Sequence, residues 1–262
     1  MHQPKYRRPL NDQQIELLEL LYKFRFGTND LIANYFGKNH RMFVFNRLKV
    51  LEEQGLIGKR FDASYKLRGR AAAYYLLPNG ARQLQDGRDV EINIKTIYKD
   101  KTVSESFIEQ CLDIFAAYNR LTKQYGNKLE FFTKADLASY DYFPKPLPQG
   151  FLSLETKAGT KHFFLDILSD SQPFFAHLRR IKTYIDYCDS GEWEDTGTDF
   201  PAILFICEST SLQKKLQKRI NRLNEDCAFA TTTKAELYAI NTNDTIWLSD
   251  DPDEKISLSL IS

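Results

Sequence analysis

No two of the four cysteines stand close enough to form a CxxC pair, and the chain has only four histidines, two methionines and two tryptophans. Cys111, Cys188, Cys207 and Cys227 are scattered, three of them in apolar-patterned segments, so reduced core thiols and a cytoplasmic location are expected. His2, His40, His162 and His177 show no metal-ligand spacing. That excludes a zinc site, and it also excludes the histidine cluster that would accompany a relaxase-type tyrosine nucleophile. No apolar run approaches the roughly 20 residues needed to span a bilayer, so no membrane partner is expected. The opening "MHQPKYRRPLNDQQ" is basic but has no apolar core, and no secretory signal is expected there. Phosphate-binding GxxxxGK[ST], dinucleotide-binding GxGxxG, HExxH and GxSxG motifs are all missing. Internal repeats and low-complexity tracts are missing too.

What is present is 262 residues, 42% hydrophobic and 13% aromatic, enough for one large core or two ordinary ones. The net charge of +1 conceals an asymmetry. Residues 1–90 carry 16 Lys and Arg against 9 Asp and Glu, while the remainder carries 20 against 26. A +7 region followed by a −6 region predicts two domains and places a polyanionic partner on the first.

In that first region, Asn11 precedes "DQQIELLELLYKFRF", whose Ile15, Leu18, Leu21 and Tyr22 recur at helical spacing, with Gly27 as the expected stop. Thr28 or Asn29 caps a short second helix ending at Gly37. A third, "NHRMFVFNRLKVLEEQG", closes at Gly55. Two strands, about 56–62 and 71–77, then flank a basic tip, and another helix begins after Pro78-Asn79. Three helices followed by a basic hairpin is the order of a winged helix-turn-helix. The segment "NRLKVLEEQGLIGKR" resembles the recognition helix, turn and first wing strand of bacterial winged-helix proteins.

With Val44, Leu48 and Leu51 turned inward, His40, Arg41, Phe45, Asn46 and Lys49 face outward and Arg47 lies on the flank. Arg can grip guanine and Asn adenine in bidentate fashion. Lys59, Arg60, Lys66, Arg68 and Arg70 suit phosphates. Double-stranded DNA is the expected partner, and a homodimer is expected because one winged helix makes few base contacts.

Residues 1–88 are thus expected to form the winged helix, 89–103 a linker and 104–262 an α/β domain. "SESFIEQCLDIFAAYNRLTKQYG" reads as a long helix capped by Ser104. Then come "KLEFFT", "FLSLET", "KHFFLDIL", the helix of "SQPFFAHLRRIKTYIDYC", the buried strand "FPAILFICE", the basic helix "SLQKKLQKRINRLNE" and the strand "AFATTT". "WEDTGTD" and "SDDPDE" read as loop and tail.

This order resembles the PD-(D/E)xK nuclease superfamily. With the winged helix in front, the whole chain resembles the replication-relaxation family, on "PLPQGFLSL", "KHFFLDIL", "IKTYIDY", "PAILFICES" and "AFATTTKAEL". The implied fold is mixed α+β and α/β: a winged helix followed by a nuclease-like α/β sandwich. The implied role is DNA binding at a plasmid or mobile element, in replication, transfer or transcription control.

On the nuclease pattern, Gln149 stands where the first acid would be, Asp166 fits the second-strand acid, and Leu168 replaces the lysine. Two carboxylates and a lysine are what such sites need to hold Mg²⁺ and orient water. The expectation is therefore a remnant without metal or cofactor, in a domain used for dimerisation or docking by a protein partner. Phe174 and Phe175 are placed either in the core or at a subunit contact. Two alternatives are carried forward. One is an Mg²⁺-dependent endonuclease whose missing ligands come from Glu155, Asp170, Glu105 or Glu109. The other is a module whose winged helix binds protein.

Overall fold

The computed structural model describes residues 9–37, 40–88, 92, 94–223, 227–239, 245–249 and 254–261. The chain divides into two compact units, residues 1–116 and 117–262.

In the first unit, α1 (Asp12–Phe24) starts where Asn11 accepts a hydrogen bond from the Gln14 amide and the Gln14 side chain accepts one from the Asn11 amide. Such a reciprocal cap satisfies two amides that the helix itself leaves without partners. Asn11→Ala should therefore cost about 1 kcal/mol of stability. Urea denaturation checks this, and an unchanged midpoint would deny the cap any role.

The helix does not run to Gly27. It ends at Arg25, which has φ +65°, pairs with Asp100 and lies 4.5 Å over the Phe107 ring. Gly27 is instead the middle of a short strand, β1 (Phe26–Thr28). A Cβ on Gly27 would come within 3.2 Å of both Ile32 and Leu21. Its glycine therefore serves close packing rather than a turn. Thr28 caps α2 (Asn29–Phe36) by accepting from the Leu31 amide.

The third helix, α3 (Arg41–Glu53), buries Val44, Leu48 and Leu51 completely, as the spacing predicts. Asn39, its expected first residue, lies outside the described residues. It stops at Gly55 (φ +69°), and the Leu56 amide reaches back to the Leu51 carbonyl.

The two strands expected as a wing are β2 (Ile57–Arg60) and β3 (Ala73–Leu76), and β1 joins them to give the order β1-β3-β2. Between β2 and β3 the tip is not an open hairpin. It carries a helical turn, α4 (Ala63–Leu67), because the Asp62 carboxylate accepts from the Ser64 and Tyr65 amides. Then follow α5 (Pro78–Arg88) and α6 (Ile94–Asp100). The latter falls in the stretch expected as linker, with Ile97 and Asp100 buried; residues 89–91 and 93 of that stretch lie outside the described residues. The long α7 (Glu105–Tyr125) crosses the division between the units.

The second unit is built on a seven-stranded mixed sheet, β10-β9-β8-β7-β6-β5-β4. Strand β4 (Leu129–Thr133) leads through the short α8 (Lys134–Leu137) and a proline-rich loop to the hairpin β5 (Gly150–Thr156) and β6 (Gly159–Leu168). Helix α9 (Phe174–Asp189) crosses over to β7 (Ala202–Cys207), which lies parallel to β6. Helix α10 (Thr210–Leu223) crosses over to β8 (Phe229–Thr233), parallel to β7. After α11 (Lys234–Leu237) the sheet ends in β9 (Thr245–Leu248) and β10 (Lys255–Ser257).

The expected α-β-β-β-α-β-α-β order is thus present in a mixed α/β fold. Two further strands extend it on either side of the acidic stretch read as tail, of which residues 250–253 lie outside the described residues. Every residue of β7 is buried, with α9 and α10 covering one side, in keeping with its unbroken apolar run. On that side Phe164, Leu168, Ile203, Phe205 and Cys207 meet Ile181, Tyr184, Leu212 and Leu216. Strand alternation puts Asp166, between Phe164 and Leu168, on the same side.

Candidate nucleic-acid interface and the buried Asp166 centre

Along α3, His40, Arg41, Phe45, Asn46 and Lys49 are exposed, with Met42 and Val50 beside them. Arg41 makes a two-point contact with Asp30, 2.7 and 3.0 Å, but both side chains remain more than half exposed. Such a pair is weakly held in water and can be exchanged for a stronger anion. Lys49 lies 4.0 Å from Glu53, and Lys59 lies 3.8 Å from Glu52. A cleft of about 180 Å³ opens beside this helix, lined by Asn29, Asp30, Arg41, Phe45, Ala72 and Tyr74 among others.

Arg47 is directed elsewhere. Its guanidinium stacks on Phe43 and donates to Gln13 at 2.6 Å, tying α3 to α1, and burial lowers its pKa.

Basic residues on and between β2 and β3 separate into two groups. Lys66 and Arg68 are exposed on α4 and its cap, Lys66 lying 5.6 Å from the Phe61 ring. Among the described residues neither has an ion-pair partner. Arg60 and Arg70 point inward instead. Arg60 binds Glu105 at 2.5 Å and the carbonyls of Lys101 and Val103. Arg70 binds Glu109 at 2.5 Å and approaches Glu105 at 3.9 Å. Tyr65 completes the group by donating to Glu105 at 2.5 Å; burial, then this bond, pushes its phenol up to about 12. Two cations expected on phosphates and two carboxylates considered as metal ligands have thus found each other. Glu105 and Glu109 sit on the first turns of α7, where these cations take them up.

The Asp166 centre is equally full. Asp166 is 3% exposed. One carboxylate oxygen accepts from the Gln149 amide at 3.0 Å, and the other accepts from Arg180 Nε at 2.5 Å and the Tyr184 hydroxyl at 2.9 Å. Arg180 also donates to the Pro146 carbonyl at 2.5 Å and to the Tyr184 oxygen at 2.7 Å. Burial opposes the charge on Arg180, but Asp166 and Tyr184 outweigh it and its pKa is raised. Burial, and then Asp166, raises the Tyr184 pKa well above its ordinary value, so Tyr184 remains a neutral donor.

Gln149 is engaged too. Its amide oxygen accepts from the Ile167 N–H at 2.9 Å, and its amide nitrogen donates to the Ile167 carbonyl at 3.3 Å. The side chain therefore acts as one more rung of the β5–β6 ladder. A carboxylate could accept there but could not donate, which gives a structural reason for the amide.

A divalent cation does not fit this arrangement. Mg²⁺ sites use one or two carboxylates with room for water, whereas the single carboxylate here is already neutralised by a guanidinium. Leu168, in the lysine's place, is buried in the core. Glu155 pairs with Thr160, six residues up β6 from Asp166, which is roughly 20 Å along the strand. Asp170 is taken up beyond the strand end, its amide donating to Glu208 and its carboxylate accepting from Ser209. Among the described residues, no group of three or more His, Cys, Asp or Glu could hold a metal ion.

Asp166 was legible from sequence; its partner Arg180 was not. The signal was there. Arg180 falls between His177 and Tyr184 on the buried stripe of α9, and a charge in such a stripe needs a buried partner. Phe174 packs half-buried against the core of this unit, while Phe175 is 63% exposed. No described helix is long and apolar enough to cross a membrane.

A protein-family model described as Replication-relaxation matches residues 18–203. No curated protein matches the chain. Among solved structures, the restriction endonuclease FokI is similar at 12% identity and a TM-score of 0.32, over 88% of this chain and 44% of that one. FokI bound to DNA gives 13% identity, a TM-score of 0.31, and coverage of 88% and 45%. The chain spans less than half the length of either, and similarity this slight leaves the fold resting on its own strand order.

Proposed function

The chain belongs to the replication-relaxation family and has a DNA-related function, and from that premise we propose a DNA-binding protein of a plasmid or mobile element whose nuclease-like unit does no chemistry. One observation carries the reading: Arg41 and Lys49 on α3 stand only in exposed ion pairs and Lys66 and Arg68 at the wing tip in none among the described residues, while the one acid of the nuclease pattern is locked to Arg180. In this reading α3 enters the major groove, with Arg41 and Asn46 at base edges and Phe45 against a thymine methyl. Lys49, Lys66 and Arg68 hold phosphates, and Lys59 and His40 lie at the margin. Residues 1–88 carry this contact, and the remainder supports dimerisation or docking.

The experiment is a gel of supercoiled plasmid with the protein in EDTA, Mg²⁺ and Mn²⁺ at two salt concentrations. Retardation that fades with salt, with the plasmid still supercoiled in every lane, is the expected result. Nicking confined to the metal lanes would establish an endonuclease and defeat the proposal. A second reading has its own support: Met42 at 70% and Leu67 at 89% exposure would suit a protein partner. In that case the plasmid would run unretarded even at the lower salt.

A further inference from the structure

Helix α10 presents Lys214, Lys215, Lys218, Arg219 and Arg222 to solvent, and none of the five has an ion-pair or hydrogen-bond partner among the described residues. It lies beyond residue 203, outside the family match. At 1.5 Å and 100° per residue the five cations occupy about 12 Å of helix axis and an arc of about 140°. The opposite face, with Leu212, Leu216 and Ile220, is buried in the core.

This arrangement is unfavourable for an isolated helix. The pairs 214/218, 215/219 and 218/222 are like charges at i,i+4. A face that merely solvates a sheet-covering helix needs no such concentration; acids interspersed among the bases would stabilise it. The first turn of α10 contains no acid.

We propose that this face is a second contact surface for duplex DNA, gripping the phosphate backbone without reading sequence. It shares a partner with the proposed function but none of its residues, so either can fail alone. The chemistry favours a nucleic acid over a protein, because protein interfaces centre on aromatic and apolar groups and Leu223 is the one large apolar side chain exposed on α10. Nucleic-acid interfaces are polar and strongly basic. A membrane surface is disfavoured because the apolar side of α10 is already buried and cannot enter lipid.

The test uses the full chain and a random-sequence duplex, with affinity followed by fluorescence anisotropy across a salt series. Lys218→Gln/Arg219→Gln/Arg222→Gln should weaken binding about fivefold at low salt and make the slope of log K against log salt shallower by about 2 to 3. Because these changes relieve repulsion, Tm should hold or rise. Lys214→Gln/Lys215→Gln supplies the same readout if the triple variant folds poorly. Unchanged affinity and slope overturn the proposal, as does preferential binding of an acidic polypeptide over the duplex. Asn46→Ala/Arg68→Ala is measured in parallel. Loss there alone keeps the proposed function and removes α10. Loss only with the α10 variants does the reverse, and a wild-type chain that ignores duplex DNA removes both.

Discussion

Replacing Arg180 by methionine lowers stability by about 3–5 kcal/mol, which is among the largest effects a single side chain can have here. The loss follows from what is left behind. Asp166 is 4% exposed at its side chain, so without Arg180 it is a buried carboxylate held by one amide and one hydroxyl. Methionine fills the volume of the arginine stem and so separates the charge effect from a cavity. For a unit of about 150 residues the expected fall in Tm is about 10 °C.

Asp166→Asn should cost less, because its side chain is neutral, its one oxygen still accepts from the Gln149 amide, and Arg180 still donates to Pro146 and Tyr184. Combining Asp166→Asn with Arg180→Met should recover most of the single-variant loss, since no unpaired charge remains. Mg²⁺ should not raise the Tm of Arg180→Met, a lone carboxylate being too poor a donor set. Calorimetry on the four proteins decides the matter. An Arg180→Met loss below about 1 kcal/mol, or a double variant as unstable as the single, would mean that Asp166 does not depend on its guanidinium.

The second large effect is a division among the arginines and lysines of the β2–β3 region that composition treats alike. Lys66→Ala/Arg68→Ala should reduce DNA affinity by about 10- to 100-fold at low salt and flatten the salt slope by about 2, because two phosphate contacts are lost. Both side chains are exposed, so stability should stay within about 0.5 kcal/mol.

Arg60→Ala and Arg70→Ala should behave in the opposite way. Each removes charge-assisted hydrogen bonds to Glu105 or Glu109 and should cost about 1–2 kcal/mol. DNA affinity should follow only as far as folding is compromised. Parallel thermal melts and binding titrations separate the two pairs. If Arg60→Ala or Arg70→Ala weakens DNA binding at an unchanged Tm, the pairing with α7 yields to phosphate and the division fails.

Much of the architecture could be read locally. The Asn11 cap, the Thr28 cap, the buried Val44, Leu48 and Leu51, and the doubly buried run of β7 all follow from windows of a few residues. The missed elements are those whose stability lies outside the window. β1 is three residues long and exists because β3 pairs with it in register. The turn at α4 hangs on one carboxylate, and the short β9 and β10 flank an acidic stretch, with Trp247 of β9 fully buried.

The sequence by itself determined the order of helices and strands, the basic first region and the position of Asp166, because periodicity, caps and charge act between near neighbours. Only the tertiary structure decided which charges are spent. Arg60 meets Glu105 across 45 positions, Arg70 meets Glu109 across 39, and Asp166 meets Arg180 from a strand to the helix covering it. Whether a charged side chain is a ligand, a staple or a free surface group depends on what the folded chain brings within about 3 Å of it, because only at that range in a dry interior does one partner outweigh water.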